Sequence, residues 1–233
     1  MNGREIIVLA GGLGTRLRSV VSDVPKPLAP VAGRPFLMWQ LDFFAEQGVE
    51  RVILATGYMA TAIEAAIGSK YREMEVVYSV EDQPLGTGGA VAKAADLMRG
   101  DGIHIANGDT FLQYSLTSLE RAVQEIENME IGLALAHVPD VRRYGAVAID
   151  SGRITSFREK GETGAGWINA GCYFVSAAIA RRLPPGKFSF ETEVLQPLAQ
   201  TGRACAHTET SDFIDIGVPS DYELAQKIFG TRT

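Results

Sequence analysis

The chain has 233 residues, of which 46% are apolar and 21% charged, and its 22 Lys and Arg against 28 Asp and Glu give a net charge of −6. This composition is typical of a folded globular protein, and the negative charge argues against broad binding to nucleic acid or to an anionic membrane surface. No apolar run approaches the roughly twenty residues of a membrane span, and no secretory signal begins the sequence, so a cytoplasmic location is expected. Cys172 and Cys205 form neither a disulfide framework nor a metal-ligand pattern and are predicted to be buried thiols.

The first half of the chain alternates predicted strands with predicted helices. Apolar and β-branched runs indicate strands over residues 5–8, 51–55, 75–79 and 103–106. Helical spacing of apolar residues indicates helices over 36–45, 60–67 and 90–98. This βαβ repetition favours a mostly parallel sheet with helices on both faces, and with ligands at the carboxyl ends of its strands.

The second half changes pattern and predicts a mixed sheet. Strands are indicated over 132–138, 146–149, 154–157 and 167–175, and helices over 190–199 and 219–228. The segment Asp150-Ser151-Gly152 is typical of a hairpin turn between two of these strands. No repeat, linker or charge block marks a second domain, so residues 1–233 are expected to form a single α/β domain.

A glycine-rich loop, Leu9-Ala10-Gly11-Gly12-Leu13-Gly14-Thr15-Arg16-Leu17, follows the first predicted strand. Its glycines let backbone N–H groups approach a phosphate, and the cations Arg16 and Lys26 could complete a triphosphate site. A dinucleotide fingerprint would need glycine at Leu17, and a P-loop would need Gly-Lys at Arg16-Leu17. Taken alone, the loop leaves open a tight glycine turn with two solvated cations.

Three further stretches carry candidate ligand-binding groups. Gln83, in Glu-Asp-Gln-Pro-Leu-Gly-Thr-Gly-Gly-Ala at 81–90, can donate and accept hydrogen bonds to a base, although a glycine turn before a helix explains this stretch equally well. Asp109, in Asn107-Gly108-Asp109-Thr110, could hold Mg²⁺ or form a turn. Asp215 is expected inside an apolar strand, where a shared Mg²⁺ would compensate its charge; helix capping is the alternative.

The order of these motifs, with Pro25-Lys26-Pro27-Leu28 after the glycine loop, resembles the signature of the sugar-1-phosphate nucleotidylyltransferases. The resemblance extends over essentially the whole chain. It implies a Rossmann-like (GT-A-like) α/β nucleotidyltransferase domain, with a nucleotide-binding half at about 1–130 and a sugar-phosphate-binding half at about 131–233. It also implies Mg²⁺ as cofactor, with Asp109 and Asp215 as its ligands.

The resemblance further assigns roles to individual residues. The implied catalytic cations are Arg16, Lys26 and Lys160. The residues implied to bind the nucleotide are Leu9, Ala10, Gly11, Gly12, Gly14, Thr15, Arg16, Lys26, Gln83, Pro84 and Gly88. Those implied to bind the sugar phosphate are Asn107, Gly108, Tyr144, Gly145, Glu159, Lys160, Asn169 and Gly171.

Within the family, three segments look most like the D-glycero-D-manno-heptose 1-phosphate guanylyltransferases: residues 83–90, Asn169-Ala170-Gly171-Cys172-Tyr173 and Phe213-Ile214-Asp215-Ile216-Gly217. This similarity implies GTP and heptose 1-phosphate as substrates, and GDP-heptose for bacterial surface glycans as product. Mannose 1-phosphate with GTP, and N-acetylmuramate or glucose 1-phosphate with UTP or dTTP, stay open as alternatives. So does a non-catalytic relative that binds a nucleotide sugar and regulates a partner, whereas Leu17 disfavours a dinucleotide-dependent oxidoreductase. Because family members often form dimers, a homodimer is compatible with the sequence.

Overall fold

A computed structural model describes residues 3–12, 14, 17, 21, 23–158 and 160–231. Its strands, numbered in chain order, are β1 (Arg4–Leu9), β2 (Pro30–Val31), β3 (Arg34–Pro35), β4 (Val49–Thr56), β5 (Lys70–Tyr71), β6 (Met74–Val80), β7 (Gly102–Asn107), β8 (Thr110–Tyr114), β9 (Ile131–Val138), β10 (Val147–Asp150), β11 (Arg153–Phe157), β12 (Gly166–Ser176), β13 (Ala204–His207) and β14 (Thr210–Asp215).

The α-helices are α1 (Phe36–Glu46), α2 (Ala60–Ile67), α3 (Gly86–Ala95), α4 (Leu116–Glu125), α5 (Ala177–Ala180), α6 (Gln196–Gln200) and α7 (Pro219–Gly230). A 3₁₀ turn covers Lys26–Leu28, and a π-helical turn over Glu191–Leu195 leads directly into α6. Among the described residues, no helix is both long and apolar enough to cross a membrane.

Ten strands form one central sheet within the described residues, in the order β10-β11-β13-β9-β12-β7-β1-β4-β6-β5. The pairings show that β5, β11 and β12 are antiparallel to the other seven strands of this sheet. The sheet is therefore mixed but mostly parallel in strand direction, as predicted. Separate two-stranded sheets join β14 to β8 and β2 to β3.

Two apolar layers cover the two faces of this sheet. Alternating residues of β1 supply both layers, because successive strand side chains point to opposite faces: Ile6 and Val8 pack in one, and Ile7 in the other. The first layer includes side chains of α1, α2, α4 and α7, and the second those of α3, α5 and α6. The prediction of helices on both faces is thus confirmed.

Several predicted elements agree closely with the structure, and one differs for a clear reason. The helix predicted over 60–67 is α2, and the predicted hairpin turn joins β10 to β11 with positive φ at Ser151 and Gly152. The helix predicted over 90–98 instead begins at Gly86. Glycine disfavours helices, so the glycines at 86, 88 and 89 gave no helical signal for the first turn of α3. Packing against Gly186 and Phe188 stabilises that turn. The sequence-based prediction gives no bounds for β2, β3, β5, β8, α4, α5 or β13, whereas the apolar strand expected around Asp215 corresponds to β14.

A buried polar cluster joins β1, β7 and α4. The Nε2 atom of His104 lies 2.8 Å from the Glu120 carboxylate, and the Arg4 Nε donates to the same carboxylate at 2.6 Å. Burial lowers the pKa of His104, against the opposing effect of Glu120. Burial also disfavours the charge of Glu120, but hydrogen bonds from His104 and Arg4 outweigh that effect and lower the pKa of Glu120 to about 2.

We expect the free energy of unfolding to decrease as pH falls from about 7 to 5. Unfolded His104 gains a proton near pH 6.5, whereas folded His104 resists protonation, so its contribution is complete above pH 6.5 and is lost below it. One such histidine changes the free energy of unfolding by at most about 1.4 kcal/mol per pH unit. His207, whose pKa burial also lowers, acts in the same direction. Denaturant titrations at several pH values measure this slope.

The variant His104→Phe removes the titration of His104, together with its hydrogen bond to Glu120, which keeps Arg4 as a donor. A phenyl ring can pack against Phe174, whose ring centroid lies 4.9 Å from that of His104, but it does not titrate. The pH slope between 6.5 and 5 should become shallower in this variant, with the remainder due to His207. An unchanged slope would show that His104 does not control the acid sensitivity.

Candidate active site

The carboxyl ends of β1, β4, β6 and β7 lie side by side and form the base of the candidate site. Leu9 at the end of β1 pairs with Asn107 at the end of β7. Just beyond the strands, the Ala10 N–H donates to the Ala55 carbonyl at 2.8 Å, and the Gly108 N–H to the Leu9 carbonyl at 2.9 Å. A Cβ at Gly108 would lie 2.7 Å from the Leu9 oxygen. Glycine is therefore required where the two loops meet.

A cavity of about 310 Å³ opens at this edge of the sheet, a volume suited to a small molecule. Glu81 follows β6 and Asp109 follows β7, and β1 and β4 lie between these two strands. Strand spacing therefore separates the two acids by roughly 14 Å. The cavity is lined by Leu9, Ala10, Gly11, Gly12, Lys26, Pro27, Ala55, Glu81, Pro84, Gly86, Thr87, Ala90, Asn107, Gly108 and Asp109.

Two carboxylates from opposite halves of the chain meet at the β7 end of the cavity. In the sheet of β8 and β14, Asp215 lies opposite Thr110, and the Ile216 N–H donates to the Asp109 carbonyl at 3.0 Å. The Lys26 Nζ lies 2.5 Å from Asp109 Oδ2. A Cβ at Gly217 would be 2.6 Å from Asp215 Oδ1 and 3.1 Å from Lys26 Nζ. The ammonium group thus lies close to both carboxylates.

Asp215 carries its negative charge in a largely buried position beside a second carboxylate. Burial, and then the charge of Asp109, raise the pKa of Asp215, while Lys26, the Gly217 N–H and Arg143 oppose this shift. The Gly217 N–H donates to Asp215 Oδ1 at 2.7 Å. Two adjacent carboxylates fit a divalent cation such as Mg²⁺, which takes few protein carboxylates and completes its coordination with water and phosphate oxygens. Among the described residues, no group of three or more His, Cys, Asp or Glu could hold a metal ion by itself.

A bulge in β12 brings the predicted sugar-side residues to the same edge. The pairing of β12 with β9 shifts between Asn169 and Cys172, and Gly171 has φ of +72°. Its N–H donates to Asn169 Oδ1 at 3.0 Å. A Cβ at Gly171 would lie 2.1 Å from Asn107 Nδ2, so only glycine leaves room for the Asn107 side chain. Asn107, Asn169 and Gly171 are therefore neighbours.

Tyr144 and Gly145 lie on a loop that faces Asp215 from the other side. Tyr144 packs edge-on against Phe213, with ring centroids 5.5 Å apart, and Gly145 has φ of +82°. Burial raises the pKa of Tyr144 to about 12, and the charge of Asp215 acts in the same direction. This loop and α7 border a second cavity of about 550 Å³, which is lined by Asp215, whereas Asp109 lines the first. Lys160 is exposed.

The remaining predicted nucleotide-binding residues differ in their placement. Pro84 lines the first cavity, whereas Gln83 is exposed and does not. Gly88 is buried against Phe188, whose ring would lie 2.1 Å from a Cβ at that position. Gly14 has φ of +60° and packs against the Lys26 side chain. The predictions for Thr15, Arg16 and Glu159 fall outside the described residues.

Glu81 lies on the cavity wall and is held there by its surroundings. Its backbone N–H donates to the Thr56 carbonyl at 2.7 Å, and its Oε2 accepts from the Leu85 N–H at 2.9 Å. Its Oε1 would be 3.0 Å from a Cβ at Gly11. A fixed carboxylate therefore lies against the glycine loop, where it can accept hydrogen bonds from a ligand.

Comparison with protein-family models matches residues 5–230 to the family described as nucleotidyl transferase. The chain belongs to the nucleotidyl transferase family. The D-glycero-alpha-D-manno-heptose 1-phosphate guanylyltransferase of Aneurinibacillus thermoaerophilus is 40% identical over 96% of this chain and 97% of its own. The protein of the same name from Campylobacter jejuni is 38% identical over 94% of this chain and 96% of its own.

Solved structures of this family show the same architecture. HddC from Yersinia pseudotuberculosis, complexed with GMP-PN, is 37% identical to this chain and superposes with a TM-score of 0.84. The match covers 97% of this chain and 99% of HddC. The predicted family and α/β fold are thus confirmed.

In this nucleotidyl transferase, Glu81 is a charged residue of the cavity lining that the predicted site residues do not include. The signal was its position, because it directly follows β6, and ligands of α/β sheets bind beyond the carboxyl ends of the strands. Gln83 was chosen instead for its amide chemistry. The resemblance implied nucleotide binding at Gly88. In the structure a Cβ at Gly88 would lie 2.1 Å from the Phe188 ring, and a Cβ at Gly89 would lie 2.1 Å from the Gly186 carbonyl, so helix packing also requires glycine at both positions.

Proposed function

We propose that this protein is a sugar-1-phosphate nucleotidylyltransferase that converts a nucleoside triphosphate and a sugar 1-phosphate into a nucleoside-diphosphate sugar and pyrophosphate. GTP and D-glycero-D-manno-heptose 1-phosphate are the proposed substrates, in keeping with the names of its relatives. The observation that carries the proposal is the single cavity edge at which Glu81, the glycine loop, Lys26 and Asp109 follow one another.

The chain's own groups suit attack of a sugar phosphate oxygen on the α-phosphorus. A phosphate monoester is nucleophilic at neutral pH, so the protein needs to position two anions and neutralise their charge rather than form a covalent intermediate. Lys26 lies where it can face the triphosphate, and Asn107, with Asn169 and Gly171 beside it, is proposed to contact the acceptor sugar. Arg16 and Lys160 are proposed as further cations for the phosphates.

Asp109 and Asp215 are the proposed ligands of Mg²⁺. The ion, when bound, would supply positive charge to the α-phosphate and the leaving pyrophosphate. The two carboxylates provide the few protein oxygens that Mg²⁺ requires, and Lys26 lies beside them at the position where phosphate oxygens would approach. A homodimer and a cytoplasmic location stay predictions.

Glu81 supports guanine as the base. Guanine presents two neighbouring donors, N1–H and the exocyclic N2–H, on one edge, and a carboxylate accepts both. Adenine presents an acceptor at N1, and uracil and thymine place one N–H between two carbonyl oxygens. Each of these bases would therefore bring an acceptor atom close to the Glu81 carboxylate, which repels it. The apolar side chains of Ala55, Pro84 and Ala90 line the same cavity and suit the faces of a flat base.

We expect Glu81→Gln to lower kcat/KM for GTP by about 10–100-fold, the discrimination that one bidentate contact supplies. The amide offers one acceptor and one donor, so activity with UTP or dTTP should fall less or rise. Gln83→Ala tests the other candidate for base recognition and should change activity little, because Gln83 is exposed and outside the cavity. Pyrophosphate release with each triphosphate measures both variants. A loss in Gln83→Ala with none in Glu81→Gln would return base recognition to Gln83.

The test of the function itself is pyrophosphate release by the wild-type protein with Mg²⁺. Four ribonucleoside triphosphates and dTTP are each combined with heptose, mannose, glucose and N-acetylmuramate 1-phosphates. Highest turnover with GTP and heptose 1-phosphate is expected. Another preferred pair would replace the substrates but keep the reaction, whereas nucleotide binding without turnover in any combination would favour a regulatory binding protein.

A further inference from the structure

Asp221, in the first turn of α7, joins two parts of the molecule. Its Oδ2 accepts hydrogen bonds from Arg143 Nη1 at 2.9 Å and from the Tyr144 hydroxyl at 3.3 Å. The Arg143 guanidinium carbon lies 5.0 Å from the centre of the Tyr144 ring, which keeps the two donors together. The Asp221 side chain is 21% exposed, so water competes only partly for these bonds. One carboxylate thus fixes two consecutive side chains of a loop.

That loop belongs to a unit that we term the acceptor-side loops, residues 139–145, 158 and 160–164. The Val141 N–H donates to the Gly164 carbonyl at 3.0 Å, and the Gly161 N–H to the Arg142 carbonyl at 3.1 Å. The two segments are therefore linked by backbone hydrogen bonds. They carry Tyr144, Gly145 and Lys160, which are all candidates for contact with the acceptor sugar phosphate.

The helix that carries Asp221 is itself anchored next to Lys26. The Tyr222 hydroxyl and the Gln226 amide both donate to the Pro30 carbonyl, at 2.5 and 2.7 Å. Phe229 is fully buried, and its ring centroid lies 5.0 Å from that of Phe111. Helix α7 is consequently a rigid link between the Lys26 turn and Asp221, and it begins only four residues after Asp215.

We propose that Asp221 is a positioning residue, which fixes the position of the acceptor-side loops relative to Asp215 and Lys26. The inference rests on the proposed function, because it assigns the sugar phosphate to these loops. Without the carboxylate, Tyr144 loses its hydroxyl acceptor, and among the described carboxylates paired with Arg143 only Asp215 remains, at 3.8 Å. The loops would then keep the Phe213 contact but lose the hydrogen bonds that set their distance from α7.

The test compares Asp221→Ala, which removes the oxygen that accepts from Arg143 and Tyr144, with Glu223→Ala, at an exposed residue of the same helix, which gives the same change in charge. In ligand-free protein, hydrogen exchange should become several-fold faster in peptides of the acceptor-side loops of Asp221→Ala, and stay unchanged in α7. The KM for heptose 1-phosphate should rise about tenfold, the effect of losing one charge-assisted hydrogen bond, while the KM for GTP stays within twofold. In an Arg143→Gln background, Asp221→Ala should have a smaller further effect, because the pair acts together.

Two outcomes would overturn the proposal. One is unchanged exchange in the acceptor-side loops; the other is faster exchange throughout α7 with equal losses for both substrates, which indicates a purely structural role. The exchange measurement needs no substrate, so it tests the hold of Asp221 on the loops even if the wild-type protein releases no pyrophosphate. Absence of pyrophosphate release by the wild-type protein would refute the proposed function and not the role of Asp221.

Discussion

Asp109→Asn is expected to lower kcat by about 10²–10³-fold, the usual cost of removing one preorganised charge contact from an active site. Asp109 lies at the end of β7 beside Lys26 and Asp215, and its carboxylate is proposed to hold Mg²⁺. The amide keeps the size of the side chain but binds a hard cation more weakly. The concentration of Mg²⁺ for half-maximal activity should therefore rise as well.

The same substitution at Asp215 separates catalysis from stability. Burial and the charge of Asp109 already disfavour the Asp215 carboxylate, as the raised pKa indicates. Asp215→Asn keeps an oxygen that accepts from the Gly217 N–H and removes the repulsion, so the thermal midpoint should stay equal or rise. Activity should fall as for Asp109→Asn. A fully active variant would contradict a metal-binding role for this carboxylate, and an unstable one would contradict the expected relief of repulsion.

Lys26→Met is expected to lower kcat/KM by about 10³-fold while the protein stays folded. The variant removes the ammonium group from the phosphate side of the cavity and leaves two carboxylates without it. The Lys26 side chain is 11% exposed and that of Asp109 is 35% exposed, so solvent weakens their interaction. The loss of stability should accordingly be only about 1 kcal/mol.

A double variant tests whether the loss of stability in Lys26→Met comes from repulsion between carboxylates. In Lys26→Met combined with Asp109→Asn, one of the two adjacent negative charges is gone, so the thermal midpoint should recover towards the wild-type value. Turnover should not recover, since both charged groups proposed for catalysis are missing. Calorimetry and pyrophosphate release measure the two effects on the same samples. Recovery of turnover together with stability would mean that Lys26 only neutralises Asp109 and takes no part in the reaction.

The sequence indicated the elements whose signals are local. The β-branched run before the glycine loop predicted β1, helical spacing predicted α1 and α2, and Asp150-Ser151-Gly152 predicted the β10–β11 turn. It also placed Gly11, Gly12 and Asp109 at strand ends, where the structure has the cavity. These features depend on neighbours in sequence, and single-residue preferences act at that range.

Only the tertiary structure decided which of these groups meet. The pairing of β8 with β14 places Asp215 beside Asp109, the β12 bulge places Gly171 against Asn107, and the end of β6 places Glu81 rather than Gln83 on the cavity wall. The glycines at 88 and 89 serve the packing of α3 against residues 186–188. Each of these facts depends on contacts between distant segments, or on the point at which a strand stops. The sequence by itself therefore determined the chemistry available at the sheet edge, and the folded chain decided its arrangement. The reason is that strand register and packing depend on segments distant in sequence, which local patterns do not identify.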